Sequence, residues 1–235
     1  MSIALRHKRR ALERHAKNKN ETQLVENSKD QTLLVGDVGD DYETVLAALN
    51  LDRDRLKEID SVPEKIELKK NELVPKYLQY LEKYRDEERL HPNAVLVWVL
   101  IWLLDIKDVE RALEWATFAI KQHQHAPENF KRSLTELFAE SMCDWAETEF
   151  TEGRSFSPYF EMVAVNLKEK VWLTEQPIIP GKIFKLMGQH FEKLSDDKAA
   201  LDWYTLAQYA NDKAGCKGKI KSLTEKLEKD KEKQV

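Results

Sequence analysis

The chain has 235 residues, of which 42% are apolar and 34% charged, and its formal net charge is −4. Its seven glycines and seven prolines are about half the number expected for an average chain of this length. The length allows one large domain or two small ones, and the scarcity of helix breakers predicts an all-α fold. Cys143 and Cys216 are too few and too far apart for a disulfide framework or a zinc site, so we expect a reducing compartment.

The N-terminal segment is predicted to be a mobile basic arm. Residues 1–20 hold seven Lys or Arg residues and one acid, a net of +6, which leaves −10 for the rest of the chain. We predict a helical arm over residues 1–27 and, around Gly36 and Gly39, a linker over residues 28–40. A basic arm on an acidic body is typical of electrostatic contact with nucleic acid, although a solubilising tail would have the same composition. The candidate DNA-binding residues are Arg6, His7, Lys8, Arg9, Arg10, Arg14, Lys17 and Lys19.

From Asp41 onwards the apolar residues recur at helical spacing, which predicts one helical body over residues 41–235 for oligomerisation and partner binding. Ser61, followed by Pro63 and Glu64, predicts a helix start, and Pro75 predicts a break or kink near Leu73. The apolar run 94–104 predicts a buried helix that pairs with the helix after it. This run is shorter than the roughly 20 residues that cross a bilayer, so we expect no membrane contact.

The C-terminal half is also predicted to be helical. Pro127 is expected to open a long helix that stops at Gly153, and Pro158 a helix that runs to about Leu173. Residues 177–181 are predicted to form a turn before two helices, at about 182–194 and 197–210. Small and large residues alternate there as in a tetratricopeptide (TPR) hairpin: Gly188, Phe191, Ala200, Tyr204 and Ala207. The same residues could simply mark a close helix contact.

No catalytic centre is predicted. Neither Gly36-x-x-Gly39 nor Gly215-x-x-Gly218 has the spacing of a phosphate-binding loop, so we expect no ATP hydrolysis and no nucleotide cofactor.

The candidate metal ligands are also better explained by structural roles. Glu67 and Lys69 are interpreted as a solvated helix face. Asp105, Asp108 and Glu110 cluster at a turn, where Asp108 suits a helix N-cap better than a metal ligand. Asp196 and Asp197 repeat this arrangement before Ala199. His123 and His125 diverge on a helix. We therefore predict no metal ion and no nucleophile–base pair.

Several short motifs follow one another along the chain. They are Ala4-x-Arg6-His7, Tyr42-Glu43-x-x-Leu46, Arg55-Leu56-Lys57-x-Ile59, Glu72-Leu73-x-Pro75, the run 97–104, Asp105-Ile106-x-Asp108, Ala112-Leu113-Glu114-x-Ala116-x-x-Ala119 and Asp197-x-Ala199-Ala200-Leu201. Together they resemble the small terminase subunit family of temperate, contractile-tailed phages.

The resemblance implies viral DNA packaging in the host cytoplasm. It implies a homo-oligomer, expected to be a ring, that binds phage DNA and recruits the large subunit. The large subunit carries the ATPase and nuclease. Family members are often named endonuclease subunits, so cleavage is expected in the terminase complex. The balanced C-terminal end after Lys226 departs from the basic tail that some members carry. The rival hypothesis, a helical-repeat interaction scaffold with no DNA role, predicts no salt-dependent DNA binding.

Overall fold

The computed structural model describes residues 41–232, and every element of regular secondary structure in that range is helical. The all-α prediction is therefore confirmed for this part of the chain. The predicted arm and linker lie outside the described residues. The helices are α1 Tyr42–Glu58, α2 Val62–Leu68, a π turn Lys69–Leu73, α3 Val74–Asp86, α4 Ala94–Asp105, α5 Val109–Lys121, α6 Leu134–Thr151, α7 Tyr159–Lys168, α8 Ile178–Lys193, α9 Asp197–Ala210 and α10 Lys217–Glu232.

The helices fall into two compact units, divided between Asp108 and Val109. In the first unit, α4 packs against α3 and α1, and in the second, α5 packs against α6 and α7. The predicted pairing of α4 with α5 would cross this division and stays a prediction.

Helix starts follow the capping side chains. The Ser61 hydroxyl accepts the Glu64 N–H at 3.4 Å, so the predicted start at this serine is confirmed. The helix predicted from Pro127 begins only at Leu134, because Ser133 and Glu136 form a complete capping box there. The predicted turn at 177–181 is instead the first turn of α8, which begins at Ile178 after Pro177.

The helix that contains Pro75 continues through the proline by way of a π turn, residues 69–73. Proline has no N–H to donate, and its ring clashes with the carbonyl four residues earlier. A wider turn just before the proline relieves this clash, and the Val74 N–H donates to the Lys69 carbonyl five residues back. The irregularity predicted near Leu73 is confirmed, as a bulge in a continuous helix.

Several helices end in a left-handed residue that is not glycine. These residues are Glu88, Lys107, His123, Lys170 and Ser195, with φ between 51° and 62°. Each is followed by a residue whose N–H donates to a carbonyl five positions back, as in a Schellman cap. The left-handed conformation costs roughly 1–2 kcal/mol without glycine, so local sequence alone does not reveal these ends.

The C-terminal hairpin of α8 and α9 is closely packed. A Cβ atom on Gly188 would lie 2.7 Å from the Tyr204 ring, and one on Gly181 would lie 2.7 Å from the Asn211 side chain. The Tyr204 hydroxyl donates to Glu192 at 2.7 Å, and Glu192 also pairs with Lys219 of α10. The small residues therefore mark a tight helix contact, and the TPR relationship stays a prediction.

Candidate interaction surfaces

The predicted DNA-binding residues lie outside the described residues. This applies to the whole set: Arg6, His7, Lys8, Arg9, Arg10, Arg14, Lys17 and Lys19. The candidate surfaces that can be built from geometry therefore lie within residues 41–232.

In the first unit, two of the motifs behind the family resemblance meet in space. Arg55 of α1 donates both guanidinium N–H groups to Glu72 of the π turn, at 2.5 and 3.2 Å. One turn away, Asp52 accepts from Lys76 at 2.8 Å and from the buried Tyr77 hydroxyl at 2.6 Å. Burial, together with this carboxylate, raises the pKa of Tyr77 far above its ordinary value, so the hydroxyl remains a donor. These motif residues hold helices together.

A buried ion pair lies beside the π turn. Lys69 donates to Asp105, the last residue of α4, at 2.6 Å, and both side chains are more than nine-tenths buried. The sequence interpretation of Lys69 as part of a solvated face is therefore wrong, whereas Glu67 is exposed as predicted. Asp105 neutralises the lysine that the π turn directs inward.

Within residues 41–232 no three His, Cys, Asp or Glu side chains come close enough to hold a metal ion. Burial raises the pKa of both Cys143 and Cys216, so neither is a thiolate at neutral pH. Asp196 accepts the Ala199 N–H at 2.9 Å and so has the capping role predicted for it.

The loop after α7 is fixed by a single buried carboxylate. Glu136 is 2% exposed. One of its oxygens accepts the N–H groups of Glu175 and Gln176, at 2.9 and 2.8 Å, and the other accepts the Ser133 N–H at 3.3 Å. A carboxylate that accepts several N–H groups forms charge-assisted bonds, which are stronger than neutral ones. The loop is therefore attached to the first turn of α6.

Trp172 provides a second attachment for the same loop. Its ring is 3% exposed and meets Phe138 of α6 edge-on, with centroids 5.7 Å apart. The helix predicted to reach Leu173 ends at Lys168, because Lys170 takes the left-handed conformation and the N–H groups of residues 171 and 172 both return to the Asn166 carbonyl. This sharp reversal brings Trp172 into the core of the second unit.

The residues on either side of Trp172 remain in solvent. Val171 is 66% exposed and Leu173 71%. On α7, Met162 is 50% and Val165 47% exposed, three positions apart and so on one helix face. Val171 and Leu173 follow the left-handed cap at Lys170 that ends α7. We call Met162, Val165, Val171 and Leu173 the loop patch.

The loop patch has the properties of a protein contact site. Isolated exposed apolar residues are normal, but a contiguous group on rigid backbone marks an interaction surface. Charges of both signs surround it, with Glu169 and Glu175 exposed beside Lys168 and Lys170. Such a surface offers no concentrated positive potential to phosphate. Sequence reasoning missed it, because the apolar residues of 171–173 look like the end of a buried helix.

None of the helices in the described part of the chain is long and apolar enough to cross a membrane.

The described residues thus form an all-α protein with capped helices and exposed apolar side chains. Residues 46–176 match the family model described as phage small terminase subunit. The chain belongs to this family.

Two curated relatives agree with this assignment. The probable terminase endonuclease subunit of Haemophilus phage HP1 (strain HP1c1) is 30% identical over 166 residues, which cover 71% of this chain and 58% of that protein. The terminase endonuclease subunit of Escherichia phage P2 is 26% identical over 186 residues, which cover 79% of this chain and 74% of that protein. The chain thus spans less than two thirds of the HP1 relative. No solved structure shows significant similarity to it.

Proposed function

We propose that this protein binds phage DNA as a ring-shaped homo-oligomer through its N-terminal arm and brings the large terminase subunit to that DNA in the host cytoplasm. Its membership of the small terminase subunit family supports a role in phage DNA packaging. The finer proposal depends on one observation, the division of charge between an arm of +6 and a remainder of −10. Phosphate is attracted by the first and repelled by the second.

In an oligomer, arms that each bind DNA weakly are together sufficient for DNA binding. Each Lys or Arg that neutralises a phosphate releases counterions, so a single arm binds weakly at physiological salt. Several arms joined in one assembly act at high effective concentration on the same duplex. Phosphate contacts position a protein without reading base sequence, so the arms set register and affinity.

We assign DNA cleavage to the terminase complex and no catalytic chemistry to this chain. The two relatives are named endonuclease subunits, and a nuclease needs several carboxylates around one or two divalent ions. Purified protein incubated with magnesium or manganese is expected to leave supercoiled DNA intact. Metal-dependent nicking that disappears when one described carboxylate is replaced would overturn this assignment.

The test of DNA binding is a five-site arm variant, in which Arg6, Lys8, Arg9, Arg10 and Arg14 are replaced by Gln. A control variant removes the same charge from exposed lysines of the described body, with Gln at Lys70, Lys121, Lys131, Lys198 and Lys229. The arm variant should lose DNA affinity, and its salt dependence should flatten by about 0.9 in log–log slope for each phosphate that the arm no longer neutralises. The control should bind as the unmodified protein does.

Assembly and thermal unfolding should be unchanged in the arm variant, because none of its substitutions lies in the described helices. If the arm variant binds DNA with unchanged affinity and slope, the arm does not bind the DNA. If the unmodified protein shows no salt-dependent binding at all, the scaffold hypothesis replaces this one.

A further inference from the structure

The segment that joins the basic arm to α1 contains an apolar run that a spacer does not need. Residues 28–40 include Leu33, Leu34, Val35 and Val38, together with three Asp residues and one Lys. Spacers that stay in water are usually polar or rich in Gly and Ser. A run of three large aliphatic residues gains free energy only if it is buried against another surface.

The loop patch offers exposed apolar side chains for this run to pack against. Its four side chains are about half to two-thirds exposed, and Glu136 and Trp172 hold the backbone beneath Val171 and Leu173 in place. A receiving surface fixed before binding loses little conformational freedom when it is occupied. By contrast, the large exposed aliphatic residues of the first unit's described part, Leu51 and Leu90, are single side chains far apart in sequence.

In a ring, the surface that fills the loop patch belongs to a neighbouring copy. A ring is closed by head-to-tail contacts, in which each copy offers one surface and receives a different one from its neighbour. The loop patch can be the receiving surface. Within residues 41–232 the other exposed large apolar residues are Leu51, Leu90, Ile178, Leu194 and Tyr209. The apolar run of residues 33–38 lies outside that range and is the candidate for the offered surface.

We propose that the loop patch of each copy binds the apolar run 33–38 of the neighbouring copy. This inference rests on the proposed oligomer and names its contact. The joining segment ends at Asp41, which caps the first helix, and 13 extended residues span at most about 45 Å. Segment exchange of this kind leaves residues 1–27 free to reach DNA while it links each copy to the next.

Apolar content favours this occupant over the basic arm and over nucleic acid, and charge does not oppose it. The joining segment carries a net −2, and the rim of the patch contains Lys168 and Lys170 as well as Glu169 and Glu175. Asp residues of the segment can therefore lie beside a lysine without a large desolvation cost. The charged heads of the arm residues would lose hydration against the patch, and the outer surface of a DNA duplex is dominated by charged phosphates.

The decisive experiment mixes two singly substituted full-length proteins, L34C and L173C, under oxidising conditions. Both native cysteines are buried, so they contribute little background. A disulfide-linked pair of chains is expected from the mixture. The matched control pairs L34C with L194C, because Leu194 is 61% exposed but lies outside the patch, and it should give no cross-link.

Two further results would overturn the exchange. One is a cross-link that forms within single chains of an L34C/L173C protein but not between mixed chains, which would place the segment on its own patch. The other is an L173S protein that assembles normally yet fails to bind the large subunit, which would give the patch to that partner.

A substitution series separates this inference from the proposed function. The change L33S/L34S/V35S should raise the concentration for half-assembly at least tenfold, because removing each buried methylene weakens binding by roughly fourfold. V171S/L173S should have the same effect, and L194S none. If the protein forms rings that bind DNA but neither series changes assembly, the segment exchange is wrong while the proposed function stands. If no oligomer forms on DNA, the ring itself is wrong.

Discussion

Replacing Glu136 by Ala should destabilise the second unit and free the loop that carries the loop patch. The carboxylate accepts three backbone N–H groups, from Ser133, Glu175 and Gln176, and lies almost completely out of solvent. A buried donor left without an acceptor costs about 1–3 kcal/mol. Since the two loop amides are only partly buried, water will satisfy them in part, and we expect the free energy of unfolding to fall by about 2–3 kcal/mol.

Two measurements check this expectation. Urea unfolding gives the free energy, and native-state hydrogen exchange reports on the amides of Glu175 and Gln176, which should lose their protection. Glu136→Gln keeps an acceptor but loses the charge, so its destabilisation should be smaller, about 1 kcal/mol. Glu147→Ala, on the exposed face of the same helix, is the control and should change stability by less than about 0.5 kcal/mol.

The reasoning is refuted if Glu136→Ala unfolds within about 0.5 kcal/mol of the unmodified protein and the two amides remain protected. The loop would then be held by Trp172 alone. A loss of stability with unchanged protection would mean that the capping box of α6, rather than the loop, depends on the carboxylate.

Three other predictions concern packing, helix ends and pH. Gly188→Ala should cost about 1–3 kcal/mol in urea unfolding, because its methyl group would meet the Tyr204 ring, whereas Gly218→Ala, with open space around it, should stabilise α10 by about 0.5–1 kcal/mol. Lys170→Gly should stabilise the second unit by about 0.5 kcal/mol, measured the same way, because the residue has φ 56°. Burial lowers the pKa of His190. As the pH falls, this side chain is therefore protonated in the unfolded chain at a higher pH than in the folded chain. Stability present above about pH 6.5 should therefore fall as the pH drops below it, and a His190→Gln protein should show a flatter profile between about pH 7 and 5.

Local sequence predicted those parts of the fold that depend on near neighbours. The Ser61 and Asp196 caps act within three residues, and the Gly188 contact follows from helix spacing in a single hairpin. Long-range polar pairing was not predictable. Lys69 and Asp105 are 36 residues apart, and Glu136 and Glu175 are 39 apart; nothing in either neighbourhood indicates the partner.

The loop patch was missed for the same physical reason. Its geometry depends on Lys170, which takes the left-handed backbone conformation. A glycine at this position would have indicated that conformation in the sequence, but lysine does not. The geometry of the patch also depends on Trp172, whose burial against Phe138 draws the chain back. The predicted arm rests on net charge, which needs no knowledge of tertiary structure. The arm and its binding partners stay predictions.

The π turn before Pro75 has a consequence for how this segment can change in length. A π turn holds one residue more than the α-helical turn it replaces, so the extra residue is accommodated locally and the flanking helix faces are not turned by the roughly 100° that one residue adds to a regular helix. Deleting a residue between 69 and 73 would restore α-helical spacing before Pro75, and with it the clash between the proline ring and the carbonyl four residues earlier. Lys69 and Glu72 belong to the same turn and pair with Asp105 and Arg55. The residue count here is therefore fixed by the proline as well as by two ion pairs whose partners lie outside the turn in sequence, so single-residue deletions should be tolerated in the loops and rejected here.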